Sequence, residues 1–176
     1  MPDSLTPQQR YKAMSAIHSK DTKPEMVVRK YLWRCGFRYR LSHKRLPGKP
    51  DIVLTKYRTC IFVNGCFWHG HGVDLSPIEN GELIIGNSAC CKIPQTNREF
   101  WVKKITRNQE RDLEVLHKLA QMGWHTIVVW ECQLKPKQRE ETLHSLVFTL
   151  NHIFLNDHTV RPYQEQEIRP LMAAEP

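Results

Sequence analysis

Apolar residues recur with a helical period in four segments of this chain and form short strand-like runs in four others. The predicted helices cover residues 8–17, 22–35, 96–122 and 137–154. The predicted strands cover residues 37–41, 51–54, 60–63 and 124–130. This order of elements indicates one α/β domain with a central mixed sheet flanked by helices.

Capping residues and glycines mark the ends of the two central helices. Thr22 and Glu25 form the pattern of a capping box at the start of the second helix, and Gly36 is its expected stop. The third helix is expected to begin with another capping box at Thr96 and to end at Gly123. The positions expected to face the core in the last two helices are Phe100, Trp101, Ile105, Leu116, Leu119, Leu143, Leu146, Val147 and Leu150.

Length and hydropathy limit the class of protein. The 176 residues fit one domain over 1–156, followed by a loose tail over 157–176. The mean hydropathy is −0.53, and no apolar run approaches the roughly 20 residues of a membrane-spanning helix. The polar N-terminus lacks the apolar segment of a secretory signal, so we expect a reducing cytoplasm, where the cysteines are thiols or metal ligands.

The charge is unevenly distributed along the chain. Residues before Asp51 include 12 of the 26 Lys and Arg residues but only 3 of the 18 Asp and Glu residues. The net charge of +8 is therefore carried by the front of the chain. A concentrated basic segment favours a polyanionic partner such as nucleic acid. A solvated face that keeps the protein in solution is the alternative.

Residues 64–95 are rich in Gly, Cys, His and Pro and follow neither period, which is typical of a long functional loop. The candidate metal ligands in and after this loop are Cys66, His71, Cys90, Cys91 and Cys132. Three thiolates and one imidazole are a ligand set for tetrahedral zinc, and the ion would stabilise a loop that has no core of its own. Free thiols are the alternative, and they account for Cys35 and Cys60, which lie in apolar patterns.

Asp51 stands at the start of an apolar strand, and the next strand ends at Val63 and Asn64. A carboxylate at a strand end is suited to a hard divalent cation such as Mg²⁺, which lowers the pKa of bound water. A simple turn residue is the alternative. Glu25 and Asp112 are acids on two predicted helices, and only the fold can bring them to Asp51.

Phe67 and Trp68 lie in the same Gly-rich loop. Apolar side chains that unstack base steps are a known means of binding DNA, and packing within the loop is the alternative. His69 and His71 are two residues apart, so a general base and a metal ligand can face different ways. The loop therefore combines candidate residues for DNA binding, proton transfer and metal binding.

Five segments in this order resemble the Vsr family of very short patch repair endonucleases. They are LPGKPD at 46–51, GCFWH at 65–69, TNREFW at 96–101, NQERD at 108–112 and VWEC at 129–132. The resemblance extends over about residues 8–135. It implies a variant of the restriction-endonuclease fold, without the usual second acid and lysine of that superfamily.

Carried over by position, the resemblance implies that Asp51 and the main-chain carbonyl of Val63 bind Mg²⁺, with His69 as the general base. The polar residues that support the hydrated cation and the phosphate would be Glu25, Asn64 and Asp112. The family often has a histidine at position 64, and an asparagine there cannot carry a proton.

The resemblance also implies that Phe67 and Trp68 enter the base stack from the major groove. Met14, on an N-terminal helix at about 7–18, would approach from the minor groove. A structural zinc ion would be held by Cys66, His71, Cys91 and Cys132, with Cys90 as the alternative to Cys91. The stretch 72–89 is longer than the family pattern, which leaves the third ligand open.

The implied function is a nick in one strand of double-stranded DNA, 5′ to the mispaired thymine of a T:G mismatch, at the start of very short patch repair. A monomer is expected, with other mismatch-repair proteins as further partners. One alternative is a restriction-type double-strand endonuclease of the same fold. The other is a non-catalytic, zinc-stabilised DNA-binding protein.

Overall fold

The structure is a computed structural model that describes residues 6–15, 20–41, 43–73 and 90–159. Its elements, in chain order, are α1 (Pro7–Ser15), α2 (Lys23–Arg34), β1 (Ile52–Leu54), β2 (Thr59–Asn64), α3 (Arg98–Gln121), β3 (His125–Trp130) and α4 (Arg139–Asp157). Short 3-10 turns at Thr55–Tyr57 and Glu131–Leu134 follow β1 and β3. No helix in these ranges is long and apolar enough to cross a membrane.

The three strands of the described ranges form one mixed sheet in the order β1-β2-β3. β1 and β2 are antiparallel, with Ile52 opposite Ile61, whereas β2 and β3 are parallel, with Ile61 opposite Ile127. α3 makes the crossover that a parallel pair requires. The sheet confirms the predicted α/β class.

Helices cover both faces of the sheet. The core between the sheet and the pair α2 and α4 is formed by Val28, Leu32, Phe37, Ile52, Leu54, Ile61, Val129, Leu134, Leu143, Leu146 and Leu150. The side chains of Val53 and Cys60 alternate to the opposite face, where they pack with Leu119 of α3. Burial of Leu143, Leu146 and Leu150 confirms the predicted inner face of the last helix.

The predicted strand at 37–41 is wrong. Only Arg40 makes a bridge, to Val53, because the chain turns directly out of α2. The Phe37 N–H donates to the Leu32 carbonyl, and the Arg38 guanidinium lies 4.0 Å from the centre of the Trp33 ring. These contacts hold the segment against the helix that precedes it.

Two other predictions about helices need correction. α3 begins at Arg98 without the predicted capping box, because Asn97 adopts a left-handed conformation and its side chain makes no capping hydrogen bond. Phe100, predicted to face the core, is 56% exposed. In contrast, Thr22 caps α2 as predicted, and Gly36 and Gly123 have the positive φ angles of helix stops.

Several predictions fall at the edges of the described ranges. α4 extends to Asp157, so the predicted tail loses its first residue to the helix. Residues 160–176 of that tail and 74–89 of the long loop lie outside the described residues, as do 16–19 after α1.

Candidate active site and metal centre

The candidate catalytic residues lie where β1 begins and β2 ends. Because the two strands are antiparallel, Asp51 comes beside Val63, and its Oδ2 accepts a hydrogen bond from the Val63 N–H at 2.7 Å. The N–H and C=O of a strand residue point to the same side. The Val63 carbonyl therefore faces the Asp51 side of the strand as well.

The Asp51 carboxyl is in an environment that disfavours its charge. Burial raises the pKa of Asp51, the Val63 N–H lowers it, and the charges of Glu25 and His69 raise and lower it respectively. These influences place Asp51, Glu25 and His69 in one electrostatic neighbourhood. A bound cation would relieve the cost of an ionised Asp51 there.

His69 and Asp112 form the second part of the site. The Nδ1 atom of His69 contacts Oδ2 of Asp112, which α3 supplies from across the cleft. A carboxylate on Nδ1 orients an imidazole and leaves Nε2 as the atom that can take a proton. The pair therefore has the arrangement of a general base and its orienting acid.

Glu25 and Asn64 border the same region. Glu25 is buried near the start of α2, with Oε1 3.2 Å from Nη1 of Arg29. Asn64 ends β2 opposite Trp130 and lines the cleft. The five residues assigned to the catalytic centre from the sequence therefore come from α2, the strand ends, the loop after β2 and α3.

All of these side chains except that of Glu25 line a cleft of about 1440 Å³. The predicted residues that line it are Asp51, Val63, Asn64, Trp68, His69, His71 and Asp112. Its wall also includes Lys49 and Arg111, whose positive charges suit a phosphate backbone. The cleft is large enough to admit a segment of a polymer as well as water.

A group of possible metal ligands lies beside this cleft. Cys66, His71, Cys90 and Cys132 bring one ligand atom each to within 4.8 Å of one another. The His71 Nδ1 atom is 3.1 Å from the Cys90 sulfur, 3.4 Å from that of Cys132 and 3.8 Å from that of Cys66. Ligands of tetrahedral zinc lie about 3.5–3.8 Å apart at ordinary bond lengths, so the spacing fits a zinc ion.

The surroundings of this group also suit a metal. Burial lowers the pKa of His71, which favours the neutral imidazole that metals bind. Burial raises the pKa of the Cys66 thiol to about 12, so a cation is needed to stabilise its thiolate. The His71 ring also stacks on Trp130 with 4.1 Å between ring centres, which fixes its orientation.

The sequence favoured Cys91 as the third cysteine ligand of the metal, and the structure corrects this preference. The Cys91 side chain is 1% exposed and packs with Val73, Ile93 and Val102 instead of joining the ligand atoms. Burial raises the pKa of its thiol, as expected for a cysteine among apolar neighbours. The structure therefore favours Cys90, the alternative that the sequence left open.

The loop aromatics form a cluster with the start of α3. Phe67 lies 5.1 Å from Trp101 and 5.2 Å from Trp68, measured between ring centres. Lys104 Nζ lies 5.3 Å from the centre of the Trp68 ring. Phe67 and Trp68 are partly buried, so loop packing and an apolar edge are both present. Met14 belongs to α1, and its side chain lies outside the described part.

Two amide side chains of the segment 108–112 hold the loop, a role that the sequence did not reveal. Asn108 Nδ2 donates to the Trp68 carbonyl at 2.8 Å, and Gln109 Nε2 donates to the Gly70 and Val73 carbonyls, at 3.1 Å each. A signal existed, because 108, 109 and 112 share one helix face. It could not indicate that this face meets the loop.

Sequence comparisons match this chain to known DNA endonucleases. The family described as DNA mismatch endonuclease Vsr matches residues 2–75. A type II nicking enzyme of Neisseria meningitidis, V.NmeAIP, is 48% identical over 78% of this chain and 87% of its own length. The DNA mismatch endonuclease Vsr of Escherichia coli K12 is 37% identical over 74% of each chain. The type II nicking enzyme V.XorIIP of Xanthomonas oryzae is 40% identical over 76% of this chain and 88% of its own.

The matched region covers most of the length of each of these relatives. The chain therefore belongs to the Vsr family and is an endonuclease that acts on DNA.

Proposed function

We propose that this enzyme nicks one strand of duplex DNA 5′ to the mispaired thymine of a T:G mismatch, by Mg²⁺-dependent hydrolysis of the phosphodiester. The observation that carries the proposal is the pairing of His69 with Asp112 in the same cleft as Asp51. Relatives named as nicking enzymes and as a mismatch endonuclease support the one-strand, mismatch-directed form. The cut leaves a 5′-phosphate and a 3′-hydroxyl.

The donor atoms near Asp51 suit magnesium. The Asp51 carboxylate and the Val63 carbonyl are hard oxygen donors on the same side of β2, and Glu25 adds a second negative charge nearby. When bound there, Mg²⁺ supplies a lowered pKa for water and stabilises negative charge on the phosphate. Glu25 would hold water of the hydrated cation by hydrogen bonds, with Oε1 also engaged by Arg29.

The protein's own residues then supply the proton transfer. His69 takes a proton from the attacking water at Nε2, because Asp112 occupies Nδ1. Asp112 stabilises the imidazolium that forms. Asn64 donates a hydrogen bond from its amide to a phosphate oxygen, and it orients the phosphate without exchanging protons.

The DNA contacts follow the same surface. Trp68 lines the cleft and Phe67 packs next to it, which supports a role for the pair as a wedge that enters the base stack from the major groove. Met14 on α1 approaches from the minor groove. The enzyme acts on one strand as a monomer, and other mismatch-repair proteins are further partners.

The metal group has a structural role. Zinc held by Cys66, His71, Cys90 and Cys132 joins the loop after β2 to the end of β3. Because His69 lies between Cys66 and His71 in sequence, the same ion keeps His69 in position. The closed set of four protein ligands leaves no position for a reacting water.

A variant with Asp51→Ala tests the proposal. Cleavage of a T:G duplex should fall by at least about a thousandfold while binding to the same duplex is retained, because Asp51 holds the cation and not the bases. Undiminished cleavage in this variant would remove the active site proposed here. On a supercoiled plasmid that carries one T:G mismatch, a nicked circle is expected, whereas linear product from a fully paired plasmid would favour a restriction-type enzyme instead.

A further inference from the structure

One face of α3 holds the loop that carries both histidines. We name residues 66–73 the histidine loop. On α3, Asn108 bonds the Trp68 carbonyl, Asp112 contacts His69, and Gln109 bonds two further carbonyls of this loop. The loop contains neither strand nor helix. Its turns are closed by backbone hydrogen bonds, such as that from the His71 N–H to the Cys66 carbonyl, and the contacts with α3 anchor these turns.

Gln109 makes two hydrogen bonds to the backbone of this loop. Its Nε2 amide has two hydrogens, and it donates to the Gly70 and Val73 carbonyls at 3.1 Å each. Gly70 directly follows His69, and the two acceptors flank His71 along the chain. One side chain therefore holds the backbone next to the proposed base and on both sides of the metal ligand.

The histidine loop packs tightly against α3. Gly70 has a φ of +60°, and a Cβ there would lie 2.6 Å from Cγ2 of Ile105 and 2.7 Å from Nε2 of Gln109. Ile105 is 1% exposed. The loop backbone thus lies directly on α3, and the Gln109 amide is part of the surface that it follows.

We propose that Gln109 is a positioning residue for the hydrolysis. It fixes the backbone of the histidine loop so that His69 faces Asp112 and the cleft while His71 faces the cysteines. It acts through the loop backbone, because the Gly70 and Val73 carbonyls engage its amide group. This inference rests on the proposed function, in which His69 is the general base.

The test replaces Gln109 with methionine, which keeps the length of the side chain and removes its donors. Gln121→Met, at the exposed end of the same helix, is the matched control. With enzyme in excess over a T:G duplex, we expect the Gln109→Met cleavage rate to fall about a hundredfold, as for a displaced catalytic group. The Kd for the duplex should change by less than about threefold, and the control should match the wild type.

A spectroscopic measurement separates positioning from a general loss of structure. The Nδ1 proton of His69 bonded to Asp112 should give a downfield NMR resonance in the wild type and in Gln121→Met, and this resonance should be lost or shifted in Gln109→Met. A cleavage rate within about threefold of the wild type would overturn the inference. So would a fall in rate with the His69 resonance unchanged.

Two further measurements cover the cases in which the variant does not fold or the proposed function fails. If Gln109→Met does not fold, the exchange rate of the Gln109 side-chain amide hydrogens with solvent is measured in the wild-type protein. Slow exchange is expected, and fast exchange would overturn the inference. His69→Ala separates the two proposals. Retained cleavage in His69→Ala would contradict the proposed function, whereas loss there with full activity in Gln109→Met would contradict this inference alone.

Discussion

Two histidines that are two residues apart have different partners in this molecule. His69 contacts Asp112 at the cleft, whereas His71 directs Nδ1 to three cysteine sulfurs and stacks on Trp130. Residue type alone does not distinguish them. The partner that each side chain meets decides which one can move a proton and which one can hold a metal.

Without a bound metal, the buried Asp51 carboxylate should lower the free energy of unfolding at neutral pH. Because burial raises the pKa of Asp51 in the folded state, the free energy of unfolding falls as pH rises from the unfolded pKa through the folded one. In chelator at pH 7, we therefore expect Asp51→Asn to have a higher Tm than the wild type, although it does not cleave.

Thermal unfolding across a pH series checks this prediction. The gap in Tm between the two proteins should close on acidification, when the wild-type carboxyl takes up its proton. A lower Tm for Asp51→Asn that does not vary with pH would mean that burial of this carboxyl does not act as described.

The two adjacent cysteines should differ in metal binding. Cys90→Ser removes a sulfur from the ligand group, so bound zinc in the purified protein should fall from about one ion per chain towards zero. Cys91→Ala, the control, should keep its zinc because Cys91 lies among apolar side chains. Metal analysis of both variants decides, and the reverse pattern would restore Cys91 as the ligand.

At the scale of elements, local signals predicted the helices and strands well and the loop contacts poorly. Thr22 and Gly36 bound α2 as expected, since capping depends on neighbours in sequence. The strand at 37–41 failed because Arg38 meets Trp33, a contact that alternation of apolar residues does not encode.

The candidate site was likewise predictable only in part from the sequence. The motifs identified the residues that gather at the cleft, but Cys90 and Cys91 could not be separated by spacing. Their difference arises from which way each side chain points after a long loop, and that depends on the packing of Cys91 against Val102 and Ile93. The role of Gln109 needed the position of α3.

Gly70 should be more sensitive to substitution than a glycine at a helix end. Gly70→Ala combines left-handed strain with overlap on Ile105, so it should lower the free energy of unfolding by about 2–4 kcal/mol. Gly36→Ala, where a Cβ meets no atom within 4 Å, should cost only the strain of about 1–2 kcal/mol. Urea denaturation of both variants measures the difference, and equal losses would contradict the tight packing of the loop on α3.

At the scale of the whole molecule, a mixed α/β sheet of the kind found in restriction endonucleases brings distant segments to one cleft. α3 crosses from β2 to β3 and so returns Asp112 to the end of the strand that precedes His69. Basic residues before Asp51 carry the net charge of +8. Site chemistry and charge thus both fit a DNA substrate.

The charge predicts a steep dependence of DNA binding on salt. Phosphate contacts by Lys and Arg release counterions, so the Kd for a duplex should rise at least about tenfold between about 50 and 200 mM salt. Titrations of mismatched and fully paired duplexes should give similar slopes, because phosphate contacts carry no sequence information. A Kd independent of salt would contradict DNA binding by the basic residues that precede Asp51.

The central claim is mismatch-directed, magnesium-dependent nicking that uses His69 as the base. Its most direct test is cleavage of end-labelled duplexes, T:G mismatched or fully paired, in magnesium or chelator, over a pool of flanking sequences and with His69→Ala beside the wild type. The account predicts one nick 5′ to the mispaired thymine, only in the mismatched duplex with magnesium, and none from His69→Ala. Cutting of paired DNA, or cleavage undiminished in chelator or in His69→Ala, would contradict it.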